Sequence, residues 1–233
     1  MPLTRDDIDR ALALPPLGER SDFDLHGGAD AVMRQRARGG DAWPERPAAV
    51  LCPLVERADG LHVVLTVRAR HLKHHAGQIS FPGGKVEHDD PSALHAALRE
   101  AEEEIGLAAH CVEVVGSMDS YLTSTAFRVS PFVGLVPPDW RARPDPSEVD
   151  EVFECPLDFL MHPDNRRRDH RLHGAGRRYF YAMPWGDYYI WGATAGMLKS
   201  LSDRLAALGL VGAEATSADL PPPPIAPAAR AMS

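Results

Sequence analysis

FPGGKVEHDDPSALHAALREAEEEIGL, residues 81–107, carries the strongest structural signal in the chain. A helix is predicted by apolar residues that recur three or four positions apart, namely Leu94, Leu98, Ala101 and Ile105. Asp90 is predicted to cap its N-terminus, and Pro91 suits the first helical position. Gly106 is predicted to form the C-terminal cap. The segment therefore predicts a helix that packs one apolar stripe on a sheet.

Glutamates crowd the last turns of this helix: Glu100, Glu102, Glu103 and Glu104. Like charges three or four residues apart repel, and anions near a helix C-terminus also meet the negative end of the helix dipole. At about 100° per residue, Glu100 and Glu104 lie nearly in line, with Glu103 on the neighbouring strip. Hard cations such as Mg²⁺ or Mn²⁺ take oxygen ligands and would offset this repulsion. The alternative is a solvated acidic face, which is the usual state of a charge run.

The turn before the helix favours a ligand site. Gly83 and Gly84 permit close approach of the backbone to a ligand, or a carbonyl turned toward a metal. The segment from Gly84 to Leu107 resembles the box of the Nudix hydrolases, G-x5-E-x7-R-E-U-x-E-E-x-G-U, where U is a bulky apolar residue. The matching positions are Gly84, Arg99, Glu100, Glu103, Glu104, Gly106 and Leu107. Asp90 stands in the upstream Glu position, and Ala101 stands in the first apolar position.

This resemblance implies metal-dependent hydrolysis of a diphosphate bond. It implies that Glu100 and Glu104 are the principal Mg²⁺ or Mn²⁺ ligands, that Glu103 is a further ligand, and that the carbonyl of Gly84 or Gly83 can join them. Arg99 is expected to pair with a box carboxylate and hold it in position. The general base is left open among Glu148, Asp150 and Glu151.

The preceding segment, VLTVRARHLKHHAGQISFPGG (residues 64–84), resembles the signature of the coenzyme A pyrophosphatase branch. That signature reads L-L-T-x-R-[SA]-x3-R-x3-G-x3-F-P-G-G, and here Val64 and Lys73 replace a Leu and an Arg. The resemblance implies a set of substrate-binding residues: Arg68, Lys73, Gly77, Phe81, Gly83 and Gly84. The basic side chains suit a nucleotide with an extra 3′-phosphate. A solvated basic loop is the alternative, as it is for any charge run.

Two other functions stay open at this point. A Nudix enzyme for another nucleoside diphosphate derivative, such as NADH or ADP-ribose, would share every catalytic residue. A non-catalytic nucleotide-sensing domain would not need so electrostatically unfavourable a cluster of glutamates. The products expected for the coenzyme A branch are 3′,5′-ADP and 4′-phosphopantetheine or its acylated form.

The rest of the chain predicts an α+β fold, an α/β/α sandwich with a Nudix-like mixed β-sheet flanked by helices. Residues 1–45 are expected to form a peripheral N-terminal arm, residues 46–211 the Nudix domain, and residues 212–233 a Pro/Ala-rich tail without fixed structure. Strands or strand pairs are predicted at residues 48–68, 112–118, 127–136, 148–157 and 177–193, and a closing helix at residues 194–210. A second basic run is expected to be a surface loop: Arg166, Arg167, Arg168, Arg171, Arg177 and Arg178. Four aromatics are expected to pack rather than stack a base: Trp185, Tyr188, Tyr189 and Trp191.

Composition limits the possible partners. The 233 residues include 33 acidic and 25 Lys plus Arg side chains, a net charge of −8 that disfavours non-specific nucleic-acid binding. No apolar stretch is long enough to suggest a membrane span. The three cysteines are an odd number without close spacing, which indicates neither a disulfide framework nor a zinc site and favours a reducing, cytoplasmic setting. A small-molecule substrate is therefore the expected partner, and the oligomeric state is left open.

Overall fold

The structure, a computed structural model, describes residues 2–25, 46–173 and 176–212. The expected tail lies outside these residues, apart from its first position, and so does most of the second half of the expected arm. The helices are α1 (Arg5–Ala13), α2 (Ala93–Ile105), α3 (Leu157–Met161) and α4 (Ala193–Ala207), with short 3-10 turns at Ala109–Cys111 and Pro163–Asn165.

The strands of the main sheet are β1 (Arg20–Ser21), β2 (Arg46–Arg57), β3 (Gly60–Arg68), β4 (Ile79–Ser80), β5 (Gly83–Lys85), β6 (Glu113–Ser117), β7 (Tyr121–Leu122), β8 (Phe127–Val136) and β9 (Val149–Pro156). Their order is β1-β7-β8-β2-β3-β4, with β5 on β2, β6 on β8 and β9 on β3. The pairs β1–β7 and β2–β8 are parallel, and the other pairs are antiparallel. The sheet is mixed, as expected for an α+β fold.

A second, three-stranded antiparallel sheet follows, formed by β10 (Arg167–His173), β11 (Gly176–Trp185) and β12 (Tyr188–Trp191). The predicted strand pair before the closing helix is confirmed as β11 and β12. The expectation of a surface loop for the second basic run is wrong, because Arg167, Arg168 and Arg171 lie in β10 and pair with β11. Strand pairing satisfies the backbone of this polar segment.

The two faces of the main sheet carry separate cores. On one face α2 buries Ala97, Ala101 and Ile105 against Leu51 and other β2 and β3 side chains. On the opposite face α1, α3 and α4 cover the larger core. This layering confirms the expected α/β/α sandwich and fixes α2 alone on the first face.

Within residues 2–25, helix α1 is not peripheral. Ile8 and Ala11 of α1 are buried in the larger core, and the guanidinium of Arg204 on α4 donates to the carbonyls of Ala11 and Leu14. Arg204 also forms a buried ion pair with Asp119, with Nη2 3.0 Å from Oδ1. The short amphipathic pattern at residues 8–14 therefore supplies one wall of the core.

Helix α2 begins two residues later than expected. Its N-cap is Ser92, whose hydroxyl accepts from the N–H of His95, so the assignment of Asp90 as cap and Pro91 as first helical residue is wrong. Asp90 instead accepts from Arg99 and from the N–H of Glu87. The C-terminal cap at Gly106 is confirmed, with φ of +68° in the left-handed region.

Candidate active site

Two adjacent glycines bring the β5 backbone against the helix carboxylates. Gly83 has φ of +151°, and a Cβ there would lie 2.4 Å from the carbonyl oxygen of Ala49. A Cβ on Gly84 would lie 2.4 Å from Oε1 of Glu100. A side chain at Gly83 would collide with the β2 backbone, and one at Gly84 would force the Glu100 carboxylate to move. The backbone of the FPGG turn therefore passes directly beside the Glu100 carboxylate.

Glu104 is the buried carboxylate of the cluster. Its side chain enters the space between α2 and the turn, where its Oε2 accepts from the N–H of Gly83 at 3.2 Å. Burial, which dominates, raises the pKa of Glu104 to about 8, and the charges of Glu100 and Glu148 add to the rise. The hydrogen bond from Gly83 and the charge of Arg68 act in the opposite direction.

Glu100 lies beside Glu104 and is partly buried. Burial is also the main reason why the pKa of Glu100 is raised, and the charges of Glu103 and Glu148 reinforce the rise, while Arg99 opposes it. Two carboxylates that both resist ionisation in one place form a site with too little positive charge around it. A bound dication would supply that charge.

Arg99 connects the helix to the preceding loop. Its Nε and Nη2 each lie 3.1 Å from one carboxylate oxygen of Asp90. Its Nη1 donates to Oε1 of Glu100 at 3.1 Å and to Oε2 of Glu103 at 3.0 Å. The expected pairing of Arg99 with a box carboxylate is therefore present, and it involves two glutamates rather than one.

The structure separates the three predicted ligands. Glu100 and Glu104 face the glycine turn, whereas the side chain of Glu103 is 59% exposed and held by Arg99. Within residues 2–25, 46–173 and 176–212, no three acidic, histidine or cysteine side chains gather closely enough to form a complete metal site. The donors nonetheless suit a hard cation that is bound by one or two carboxylates and completed by water and substrate phosphate, as Mg²⁺ usually is. The cradle without Cβ atoms and the buried Glu104 carboxylate fit such an ion.

Besides Gly83 and Gly84, the predicted substrate segment reaches this cluster through Arg68. Arg68, at the end of β3, has its Nη1 3.8 Å from Oε1 of Glu104 and 3.9 Å from Oε2 of Glu148. Gly77 adopts φ of +68° and donates its N–H to the Arg68 carbonyl at 2.9 Å, which closes the intervening loop. Lys73 lies on the exposed part of that loop.

Phe81 does not lie where a substrate-binding residue is expected. Its ring is 1% exposed and belongs to the larger core, on the face of the sheet away from α2. An aromatic side chain before a glycine turn anchors the turn by burial, and that burial leaves no ring surface for a ligand. The structure therefore gives Phe81 an anchoring role, and its expected part in substrate binding stays a prediction.

The structure distinguishes the three candidate bases. Asp150 accepts from the N–H of Arg70, and Glu151 accepts from the hydroxyl of Tyr188. Glu148 contacts Arg68, and its charge acts on both Glu100 and Glu104. The sequence alone does not separate these residues, because the contact of Glu148 with Arg68 joins segments that are far apart in the chain.

The comparisons with known proteins agree with the motif. The family profile of the NUDIX domain matches residues 45–173. A curated relative, the uncharacterized Nudix hydrolase NudL of Escherichia coli strain K12, is 42% identical over 159 residues, which are 67% of this chain and 81% of the relative. Its counterpart in Shigella boydii serotype 18 matches to the same extent. A solved MutT/nudix family protein from Enterococcus faecalis aligns with a TM-score of 0.44 at 16% identity, over 79% of this chain and 72% of its own.

Proposed function

The chain belongs to the Nudix hydrolase family, and we propose that it hydrolyses the pyrophosphate bond of coenzyme A or its derivatives to 3′,5′-ADP and 4′-phosphopantetheine or acyl-phosphopantetheine. The family accounts for the pyrophosphatase chemistry and the need for a divalent cation. The observation that carries the choice of substrate is Arg68, because this residue of the coenzyme A signature lies 3.8 Å from Glu104 of the Nudix box. Signature and box thus meet at the Glu104 carboxylate.

We assign Mg²⁺ or Mn²⁺ to the two carboxylates that face the glycine turn. Glu100 and Glu104 would be the principal ligands, with the Gly84 carbonyl as a further ligand, and Glu103 would join them only by leaving its contact with Arg99. Such an ion supplies positive charge that polarises phosphoryl oxygens and lowers the pKa of a coordinated water. Its charge would also compensate the raised pKa values of Glu100 and Glu104.

The side chains of the protein position the reactants. Arg68 and Lys73 would bind phosphate oxygens, and Arg99 would hold Glu100 in place through the contact seen between them. Glu148 would take the proton from the attacking water, since it is the candidate base that lies next to Arg68. One P–O bond of the anhydride breaks while the water oxygen forms a new P–O bond, so each product carries one phosphate at the cleaved position.

Mass spectrometry of the products of coenzyme A hydrolysis in ¹⁸O-labelled water tests both the substrate and the bond. We expect 3′,5′-ADP and phosphopantetheine, with the label in one of them only. Glu104→Gln serves as the inactive control. Faster turnover of ADP-ribose or NADH than of coenzyme A would contradict the substrate. Absence of metal-dependent hydrolysis across all these compounds would favour a sensor domain over an enzyme.

A further inference from the structure

A cavity lies on the face of the sheet opposite α2. It has a volume of about 290 Å³ and is enclosed by the β10–β11 hairpin, residues 20–25 and α4. We call it the hairpin cavity. None of its lining residues belongs to the carboxylate cluster. Its volume is close to the lower end of the usual range for ligand pockets, roughly 300–1,000 Å³.

Two arginines face each other in this cavity. Arg171 of β10 and Arg178 of β11 are direct partners in the antiparallel register, and both line the cavity. Like charges directly opposite on neighbouring strands destabilise the pair. Among the residues that the structure describes, neither guanidinium has an acidic partner, and each contacts only aromatic rings. The hairpin therefore holds two neighbouring cations that form no ion pair among the described residues, while its own Asp169 accepts from the hydroxyl of Tyr189.

The acidic residues in the cavity wall are already engaged. Asp203 accepts from Lys199 and Arg20. Asp22 accepts from the hydroxyl of Tyr121, and Asp24 accepts from the hydroxyl of Ser21. Their carboxylates are thus bound within the wall. The hydroxyl hydrogen bonds leave the charges of Asp22 and Asp24 in place, so the wall carries both signs, and Arg171 and Arg178 are its cations for which the described residues provide no salt bridge.

The same wall is aromatic. The Arg171 guanidinium lies 4.0 Å from the centroid of the Trp191 ring, and Phe180 packs at 57° to that ring. Arginine stacks on planar rings and binds phosphate through its fork of N–H donors. A ligand that presents a phosphate and a flat ring would satisfy both features at once.

We propose that the hairpin cavity binds a phosphorylated nucleoside, with its phosphate between Arg171 and Arg178 and its base along the wall that includes Phe180 and Trp191. The site is distinct from the carboxylate cluster and does not need a dication. The ligand is a nucleotide either free in solution or forming part of a larger substrate, and adenine nucleotides serve as its probes. The inference does not depend on coenzyme A being the substrate.

Calorimetric titration with AMP and with 3′,5′-ADP in the presence of EDTA tests the proposal. We expect binding with Kd below about 1 mM, weakened at least about tenfold in the double variant Arg171→Gln/Arg178→Gln. Inorganic phosphate should compete, and adenosine, which has no phosphate, should bind more weakly than AMP. Arg177→Gln is the matched control, because Arg177 neighbours Arg178 in β11 but does not line the cavity, and it should bind like wild type.

Thermal unfolding of the variants shows whether loss of binding is local, and the single variant Arg178→Gln provides a milder change if the double variant is unstable. AMP binding that needs a dication, or that persists in both folded variants, would overturn the proposal, as would no binding to wild type. Steady-state kinetics with Mg²⁺ then separates the two sources. If the variants raise the KM for coenzyme A and leave kcat unchanged, the ligand of the hairpin cavity is part of the substrate. If KM is unchanged, the ligand is a free nucleotide. If coenzyme A is not hydrolysed at all, the titration with AMP still decides the inference.

Discussion

Glu104 combines burial with a local excess of negative charge. Its pKa is raised to about 8, so at neutral pH the metal-free folded protein holds a proton that the unfolded chain, with its usual value of 4.5, releases. The folded state therefore binds more protons between these values. This contribution to stability is fully present below about pH 4.5 and is lost as the pH rises through about 8.

Glu104→Gln should remove that pH dependence. In EDTA, the Tm of the variant relative to wild type is expected to increase by several degrees from about pH 5 to about pH 9, because glutamine stays neutral. Differential scanning calorimetry measures the difference. Glu102→Gln, an exposed change on the same helix, should show no such trend. A Tm difference between Glu104→Gln and wild type that does not change with pH would mean that burial does not raise the pKa of Glu104.

Gly84→Ala tests the close approach of backbone and carboxylate. The new Cβ would lie 2.4 Å from Oε1 of Glu100, so the carboxylate must move. We expect kcat/KM for the hydrolysed substrate to fall by about 100-fold while the fold is kept, because a misplacement of about 1 Å has effects of this size. Gly212→Ala, whose nearest neighbour is an atom of Pro163 at 3.5 Å, should keep full activity. Wild-type kcat/KM in Gly84→Ala would exclude Glu100 from the reaction.

At the scale of the element, α2 is held in register by Arg99. This side chain contacts Asp90 on the loop and both Glu100 and Glu103 on the helix. Arg99→Lys keeps the charge but cannot form all these hydrogen bonds. We expect kcat to fall about 10- to 100-fold, as for other residues that orient metal ligands, with the weaker activity partly restored at high Mn²⁺. Titration of activity against Mn²⁺ gives the result, and a variant with unchanged metal dependence would contradict the positioning role.

The same helix shows which elements could be predicted from sequence. The apolar repeat and Gly106 located the helix and its end, because both act within a few residues. The start was misplaced because Asp90 is recruited by Arg99, a contact that spans nine positions. Strand β10 is not predicted from the sequence, because a run of arginines by itself indicates solvent exposure. In the structure this run pairs with β11, and Arg171 packs on the ring of Trp191.

At the scale of the whole molecule, α1 is part of the core. Ile8 is 1% exposed and lies in the larger core. Ile8→Ala should reduce the free energy of unfolding by about 2–5 kcal/mol, as removal of a buried aliphatic side chain does. Urea unfolding followed by fluorescence measures this. Leu17→Ala, at a position 44% exposed, is the control and should change stability by less than about 1 kcal/mol. Equal free energies of unfolding for wild type and Ile8→Ala would show that α1 does not contribute to the core.

Only the part of the candidate site that lies on one helix could be predicted from the sequence. The box located Glu100, Glu104 and Arg99, because all three lie on one helix whose spacing is fixed. The contact of Arg68 with both Glu104 and Glu148 joins three distant parts of the chain and has no local signal. The exposure of Glu103 and the burial of Phe81 likewise depend on packing that no motif contains.

None of the helices in the described ranges has the length and hydropathy that a bilayer crossing requires.

The measurement that tests the catalytic assignment most directly is the kcat of Glu104→Gln for coenzyme A at saturating Mg²⁺, compared with Glu102→Gln. The buried carboxylate of Glu104 should be indispensable, so its variant should lose at least about 100-fold in kcat, whereas Glu102→Gln should remain within about twofold of wild type. A Glu104→Gln enzyme that retains activity within a few-fold of wild type would show that the dication is held elsewhere.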